Sequence, residues 1–296
     1  MSAASPTTIG LTLGDAAGIG PEIISTALAS GRLDPRYEYR IVGSSNGVAP
    51  GQPTEATARA ALAALEESSQ LAHRGEITAV VTGPIHKARM QAIGFEFPGQ
   101  TEFFAQRAGV DNFAMCLTGG SLTVALVTTH IALRDVPGSL SAAEIVRVGL
   151  LLAEFLQRRL GRTPRIAIAG LNPHAGESGA FGREEIEIIE PAVTLLRGEL
   201  GDTAECSGPL SPDTVFHRAA TGEFDGVLCM YHDQGLIPLK LHAFDAGVNV
   251  TLGLPFPRTS PDHGTAFEIA GKNIARPDSM IAAINLAAEL ASRRPS

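Results

Sequence analysis

The stretch IGLTLGDAAGIGPEIISTALA, residues 9–29, sets the pattern that the rest of the chain repeats. Ile9–Leu13 is an apolar run of strand length, Gly14–Gly20 is a turn of small residues, and Pro21–Ala29 has the apolar spacing of a helix. Pro21 suits a first helical position, where its missing N–H is no loss. Strand, tight turn and helix in that order form half of a parallel β–α–β unit. Gly18 and Gly20 permit close backbone approach, and a helix N-terminus attracts anions through its free N–H groups. The turn is not a dinucleotide fingerprint, because G-x-G-x-x-G read from Gly18 meets Ile23 where the third glycine belongs. A Rossmann fold is therefore not indicated. Taken alone, the turn serves equally as an anion cradle or as a tight structural bend.

Working outward, the alternation continues. Strands are predicted at Tyr39–Val42, Ala79–Thr82, Leu122–Leu126, Arg165–Ala169 and Gly226–Met230, with another at Gly247–Leu252. Helices are predicted at Thr54–His73, Thr101–Ala108, Ala142–Leu160, Arg183–Leu200 and Asp278–Ser292. Ser141 ahead of Ala142 and Glu144 resembles a capping box. The fold class is α/β with a parallel or mixed sheet, and 296 residues suit two lobes better than one. The Gly/Pro-rich segment Ser45–Pro53 reads as a surface loop, and the last helix is expected to pack on the N-terminal lobe.

Composition narrows the function classes. Hydrophobic residues make up 44% and charged residues 18%, as in ordinary globular proteins. A net charge of −8 argues against nucleic-acid or anionic-membrane partners, although a small anionic substrate stays open. Cys116, Cys206 and Cys229 are odd in number without C-x-x-C spacing, which argues against a disulfide framework and for a reducing compartment. No signal peptide and no membrane span is read from the sequence, so a cytoplasmic protein is expected.

Three histidines share one context. His130, His174 and His232 each follow a predicted strand, and carboxyl ends of parallel strands converge on the edge where α/β sheets bind ligands. A single histidine there is more often a satisfied polar residue than a ligand. Three together could hold one divalent ion with a coordination position left open. His73, His86, His217 and His242 lack that context. Lys240, Asn249 and Arg258 follow His232; alone they read as ordinary solvated groups, although Arg and Lys also make strong charge-assisted bonds to carboxylate and phosphate. The run Asp262-His263-Gly264-Thr265-Ala266, continuing to Asn273, is a small-residue loop able to bring backbone against an adenine ring and ribose.

Together the segments GDAAGIGPEI, TGPIHKA, PGQTEFFA, TTHIALRDVP, LNPHAGESGAFG, GPLSPDTVF, MYHDQGLIPLK, GVNVTLGLPFPRTSPDHGTA and IAGKNIARP resemble the 4-hydroxythreonine-4-phosphate dehydrogenase family of pyridoxal phosphate biosynthesis, over nearly the whole chain. The resemblance implies a two-lobed α/β/α subunit of the isocitrate/isopropylmalate dehydrogenase type with the active site in the interdomain cleft, and a homodimer that completes the site. We expect residues 1–98 and 264–296 in the first lobe and 99–263 in the second. Carried over residue by residue, the metal ligands fall on His130, His174 and His232, and the substrate positions on Gln100, Thr101, Lys240, Asn249 and Arg258. The cofactor segment falls on His263, Gly264, Thr265, Ala266 and Asn273, for NAD or NADP. Zinc is the first expectation for the ion, with magnesium, manganese or cobalt as alternatives.

The implied reaction oxidises a secondary alcohol to a β-keto acid that then loses carbon dioxide. Asp233 is the candidate proton acceptor or orienter of His232, and Lys240 the candidate for proton transfer or carbonyl polarisation. One departure bears on substrate: the family pattern Gly-His-Thr-Glu-Phe reads Gly99-Gln100-Thr101-Glu102-Phe103 here, and glutamine cannot carry the positive charge that histidine can. Smaller departures are Ala16 for proline and His86 for asparagine. The alternatives are a paralogue acting on a phosphorylated four-carbon sugar acid or an aromatic dicarboxylate cis-dihydrodiol, and an inactive ligand-binding sensor.

Overall fold

A computed structural model describes residues 7–293. The chain forms two compact units, one made of the described residues up to Asp111 together with those from Val248 onward, the other of Asn112–Gly247. The boundaries at 98/99 and 263/264 expected from the sequence thus fall instead at 111/112 and 247/248. Gln100, Thr101, Asn249 and Arg258 belong to the first unit rather than the second.

The first unit begins with β1 (Thr7–Thr12), α1 (Gly20–Ala29), β2 (Tyr37–Val42), α2 (Glu55–His73), β3 (Ala79–Thr82), α3 (Lys87–Ala92) and α4 (Gln100–Ala108). β1 pairs in parallel with both β2 and β3. All four residues of β3 are buried, as the uninterrupted apolar run requires. α2 starts at a complete capping box between Thr54 and Thr57 and turns Ala58, Ala61 and Leu65 inward at helical spacing. They pack with Phe103, Phe104 and Phe256, whose rings meet edge to face. That burial of α4 is why segment 100–108 belongs to this unit.

The second unit contains β4 (Ala114–Gly119), β5 (Leu122–Leu126), α5 (Val136–Ser139), α6 (Ala142–Leu160), β6 (Arg165–Ala169), α7 (Glu190–Leu200), β7 (Glu205–Leu210), α8 (Pro212–Ala220), β8 (Gly226–Cys229) and α9 (His232–Ala243). β4 and β5 form an antiparallel hairpin that turns at Gly120, whose φ of 57° favours glycine. β5, β8, β6 and β7 follow in that order, all parallel. Ser141 caps α6 by accepting from the Glu144 N–H, half of the predicted box. The helix predicted over Arg183–Leu200 is present from Glu184, with a π-helical stretch at Glu185–Ile189 that leads directly into α7. Leu117, Leu122, Val124, Leu126, Val227 and Leu239 fill the core, each buried side chain contributing about 1.5–3 kcal/mol.

The chain then returns to the first unit with β9 (Val248–Leu252), β10 (Arg258–Pro261) and α10 (Asp278–Ser292). β10 lies between β3, parallel, and β9, antiparallel. α10 packs on β10, β3 and α1, as expected of the last helix. Among the described residues no helix is long and apolar enough to cross a membrane.

Candidate active site

The glycine turn is first of all a packing requirement. A Cβ on Gly14 would lie 2.2 Å from the Pro84 carbonyl oxygen, one on Gly20 2.0 Å from that of Leu13, and one on Gly18 2.6 Å from that of Thr265. Ile19 N–H donates to the Thr265 carbonyl at 2.9 Å, so the turn is the platform for the 263–266 segment. Gly18→Ala is expected to push that segment away and lower the thermal unfolding midpoint by roughly 5 °C, read by differential scanning calorimetry.

The loop carried by this platform is irregular and partly open. Ala266 and Asn273 hold left-handed backbone at φ 42° and 53°. His263 donates from Nδ1 to the Gly264 carbonyl at 3.2 Å in the neutral tautomer, and burial pushes its imidazole toward that neutral form. Its Nε2 is buried with no hydrogen-bond partner among the described residues, and the same holds for Oε1 of Glu22. The other Glu22 oxygen accepts from the Gly271 N–H at 2.7 Å.

β9 and β10 carry a second cluster. Asn249 lies opposite Ser260, so Asn249 and Thr251 share a face with Arg258 and Ser260. Arg258 is 2% exposed, and its hydrogen bonds end on neutral oxygens: Thr82 Oγ at 2.5 Å, Gln100 Oε1 at 3.1 Å and Thr251 Oγ at 3.3 Å. Its Nε has no partner among the described residues, nor has the buried Oδ1 of Asn249. Burial pushes the guanidinium down to about 10. Gln100 also donates to the Gly83 carbonyl at 3.2 Å, and the Thr101 hydroxyl reaches that of Thr251 at 3.4 Å. A buried cation whose hydrogen bonds end on neutral oxygens, with one N–H left open, can take an anion.

In the second unit the ends of β5 and β8 bring two of the expected ligands together. Thr128 donates from its hydroxyl to the Met230 carbonyl at 2.7 Å and from its backbone at 3.2 Å, extending the strand pairing toward His130 and His232. The two imidazole centroids stand 5.5 Å apart. Two imidazoles on one tetrahedral ion with metal–nitrogen bonds near 2.1 Å have centroids about 5 Å apart, so the pair fits a divalent ion. His232 Nδ1 is 2.7 Å from Asp233 Oδ1, which fixes the ring and leaves Nε2 as the donor atom. His174 does not join them: among the described residues no group of three or more His, Cys, Asp or Glu could hold a metal. It sits instead on a left-handed turn spanning His174–Ser178, near Phe181 and Asp213. Lys240 lies two turns beyond His232 on α9, about 12 Å along its axis.

Two buried residues of this region escaped the sequence reading. Gln234 and Glu185 bond the strand-end segments near His232 and His174. The first could have been suspected from its place in Tyr-His-Asp-Gln-Gly. The second is one of four glutamates in residues 184–190 and carries no distinguishing signal.

Residues 22–287 match the family described as pyridoxal phosphate biosynthetic protein PdxA. The chain belongs to that family. It is 43% identical to the 4-hydroxythreonine-4-phosphate dehydrogenase of Caulobacter vibrioides, over 97% of this chain and 98% of the relative. Among solved structures, the 4-hydroxythreonine-4-phosphate dehydrogenase of Klebsiella pneumoniae matches with a TM-score of 0.83 at 37% identity, over 96% of this chain and 99% of that one. A terephthalate 1,2-cis-dihydrodiol dehydrogenase from Burkholderia xenovorans matches with a TM-score of 0.69 at 28% identity, over 96% and 98%. The isocitrate/isopropylmalate dehydrogenase type of α/β fold is thereby the fold of this PdxA-family chain, and the chain is an oxidoreductase acting on a CH–OH group.

Proposed function

We propose that the chain oxidises 4-phosphohydroxy-L-threonine with NAD or NADP to 2-amino-3-oxo-4-phosphobutanoate, which decarboxylates to 3-amino-2-oxopropyl phosphate. The observation that carries this reading is Arg258, a buried guanidinium bonded only to neutral oxygens, in a chain 43% identical to an enzyme of that name. Arg258, Asn249 and Thr101 take the anionic end of the substrate. Gln100 holds Arg258 through its amide oxygen, a task that needs no charge, so its replacement of histidine is compatible with the same substrate.

His130 and His232 hold a divalent ion, zinc by the preference of imidazole donors. Bound there, the ion supplies Lewis acidity to the substrate hydroxyl, and the nicotinamide supplies the hydride acceptor. Asp233 orients His232 rather than acting as a free base, because its Oδ1 is already engaged with that ring. The hydroxyl proton leaves to solvent water as the alcohol is oxidised, and Lys240 polarises the new carbonyl. The β-keto acid then loses carbon dioxide because that carbonyl accepts the electron pair. His263, Gly264, Thr265, Ala266 and Asn273 hold the adenosine half of the cofactor, with His263 Nε2 and the strained backbone as the contact points.

A homodimer completes the site, with the third imidazole, His174, supplied across the interface. Ile237, Leu241 and Phe244 support that assembly. Ile237 and Leu241 lie four apart on α9 and Phe244 follows just beyond it; they are 65%, 89% and 75% exposed, apolar surface that a lone chain would leave in water. The setting is the cytoplasm, where the buried thiols of Cys116, Cys206 and Cys229 stay reduced.

The test is NADH or NADPH formation by zinc-loaded protein with 4-phosphohydroxy-L-threonine. A phosphorylated threonate or erythronate and an aromatic dicarboxylate dihydrodiol would be run beside it. The expected result is a kcat/KM of about 10⁴ M⁻¹s⁻¹ or more for the threonine phosphate. Turnover of an alternative substrate alone would overturn the substrate and keep the oxidoreductase.

A further inference from the structure

Two buried polar side chains in the second unit are bound neither to the substrate cluster nor to the imidazole pair. Glu185 is 1% exposed and Gln234 is 6% exposed. Glu185 Oε1 accepts from the backbone N–H groups of Leu171 and Asn172, both at 2.7 Å, and Oε2 accepts from Asn172 Nδ2 at 2.8 Å. Gln234 Nε2 donates to the Gly170 carbonyl at 2.6 Å, and its Oε1 accepts from the Met230 N–H at 2.6 Å. The two side chains therefore grip adjacent peptides at the end of β6. Gln234 also grips the end of β8, two residues before His232. Gly170 N–H, bonded to the Leu210 carbonyl at 2.8 Å, adds the end of β7.

What this network holds is costly backbone. His174, Ala175, Glu177 and Ser178 are left-handed without being glycine, with φ between 43° and 58°. Each such residue costs about 1 kcal/mol or more, so the turn persists only where its surroundings dictate it. Gly176, in the middle, is needed because a Cβ there would come 2.6 Å from Glu185 Oε2. Glu185 itself opens the π-helical stretch Glu185–Ile189, a local winding that recurs at functional sites. A buried carboxylate that accepts three hydrogen bonds is strongly fixed, and so is whatever it holds.

We propose that Glu185 and Gln234 are positioning residues: a buried clamp that fixes the turn bearing His174 and the helix start bearing His232, and so sets the geometry of the imidazole ligands. The inference rests on the metal reading given above. It assigns no chemistry to either residue; both act through the histidines.

The test uses the full chain stripped of metal and titrated with cobalt(II), whose visible absorption reports ligand geometry. Wild type, Glu185→Ala, Glu185→Gln, Gln234→Ala and His174→Ala are compared, with circular dichroism confirming the fold. Wild type is expected to give an imidazole band that His174→Ala alters. Glu185→Ala and Gln234→Ala are expected to bind cobalt roughly 10- to 100-fold more weakly, with a changed band. Glu185→Gln, which keeps the Oε1 acceptor, should recover most of the affinity and the wild-type band. If Glu185→Ala does not fold, Gln234→Ala and Glu185→Gln carry the comparison. A folded Glu185→Ala or Gln234→Ala with unchanged band and affinity overturns the clamp while leaving the metal reading in place. Wild type with no imidazole band overturns the metal reading, and the clamp with it.

Discussion

Arg258→Met is expected to leave a folded protein whose thermal midpoint equals or exceeds that of the wild type, while anion binding falls by about three orders of magnitude. The two halves have one cause. The guanidinium is fully enclosed and its hydrogen bonds end on neutral oxygens, so the loss of hydration outweighs the attraction of the Glu102 carboxylate. Burial pushes Arg258 down to about 10, below the ordinary guanidinium range, a burden on the order of 3 kcal/mol. The sign follows from linkage. Below about pH 10 both folded and unfolded chains carry the charge, and the folded state bears the full burden. Relief comes only as pH rises above about 10, far outside working conditions. Methionine keeps comparable volume and removes the charge; an anion removes the burden differently, by pairing with it. Titration calorimetry with inorganic phosphate, beside a thermal melt of each protein, separates the effects. A midpoint more than roughly 5 °C below wild type would show that the cation holds the fold together.

The second large effect is expected at His232. His232→Ala should lower kcat by about 10³-fold or more and remove the cobalt band, with a change in stability within about 1 kcal/mol. The stability expectation follows from its surroundings. The ring is partly exposed, and Asp233 is 68% exposed, so breaking their bond returns both groups to water at little cost. Asp233→Asn should fall between, with roughly a 10- to 100-fold loss of metal affinity, because the ring loses its orienting carboxylate but keeps its donor nitrogen. Equal turnover by wild type and His232→Ala under metal-limited conditions would remove His232 from the reaction.

The strands that were legible were the apolar ones. Ala79–Thr82, Leu122–Leu126 and Arg165–Ala169 appear with the predicted bounds, because a strand buried on both faces is written as an uninterrupted apolar run. β10 was not legible: Arg258–Pro261 carries a cation and a proline and is flanked by Pro255 and Pro257, which read as loop. Its assignment depends on pairing with β3, a contact between distant parts of the chain that local pattern does not encode. The same holds for Arg258, which alone looks like surface charge and is in fact enclosed. α9 was obscured by Gly235 and Pro238, so His232 was read as the end of a strand when it also opens a helix. Pairing His130 with His232 needed only that β5 and β8 be neighbours and parallel. The isolation of His174 depends on a left-handed turn that no residue preference announces.

The first unit is written in two pieces, with residues 112–247 between them. During synthesis β1 and β3 emerge long before β10, the strand that lies against β3. At ordinary translation rates that wait lasts on the order of ten seconds. The second unit is contiguous and can finish on the ribosome while the first still exposes the apolar edge that β10 and α10 will cover. The later piece of the first unit carries both Arg258 and the His263–Asn273 loop, so the anion cluster and the expected cofactor loop are assembled only after residues 112–247 have been made.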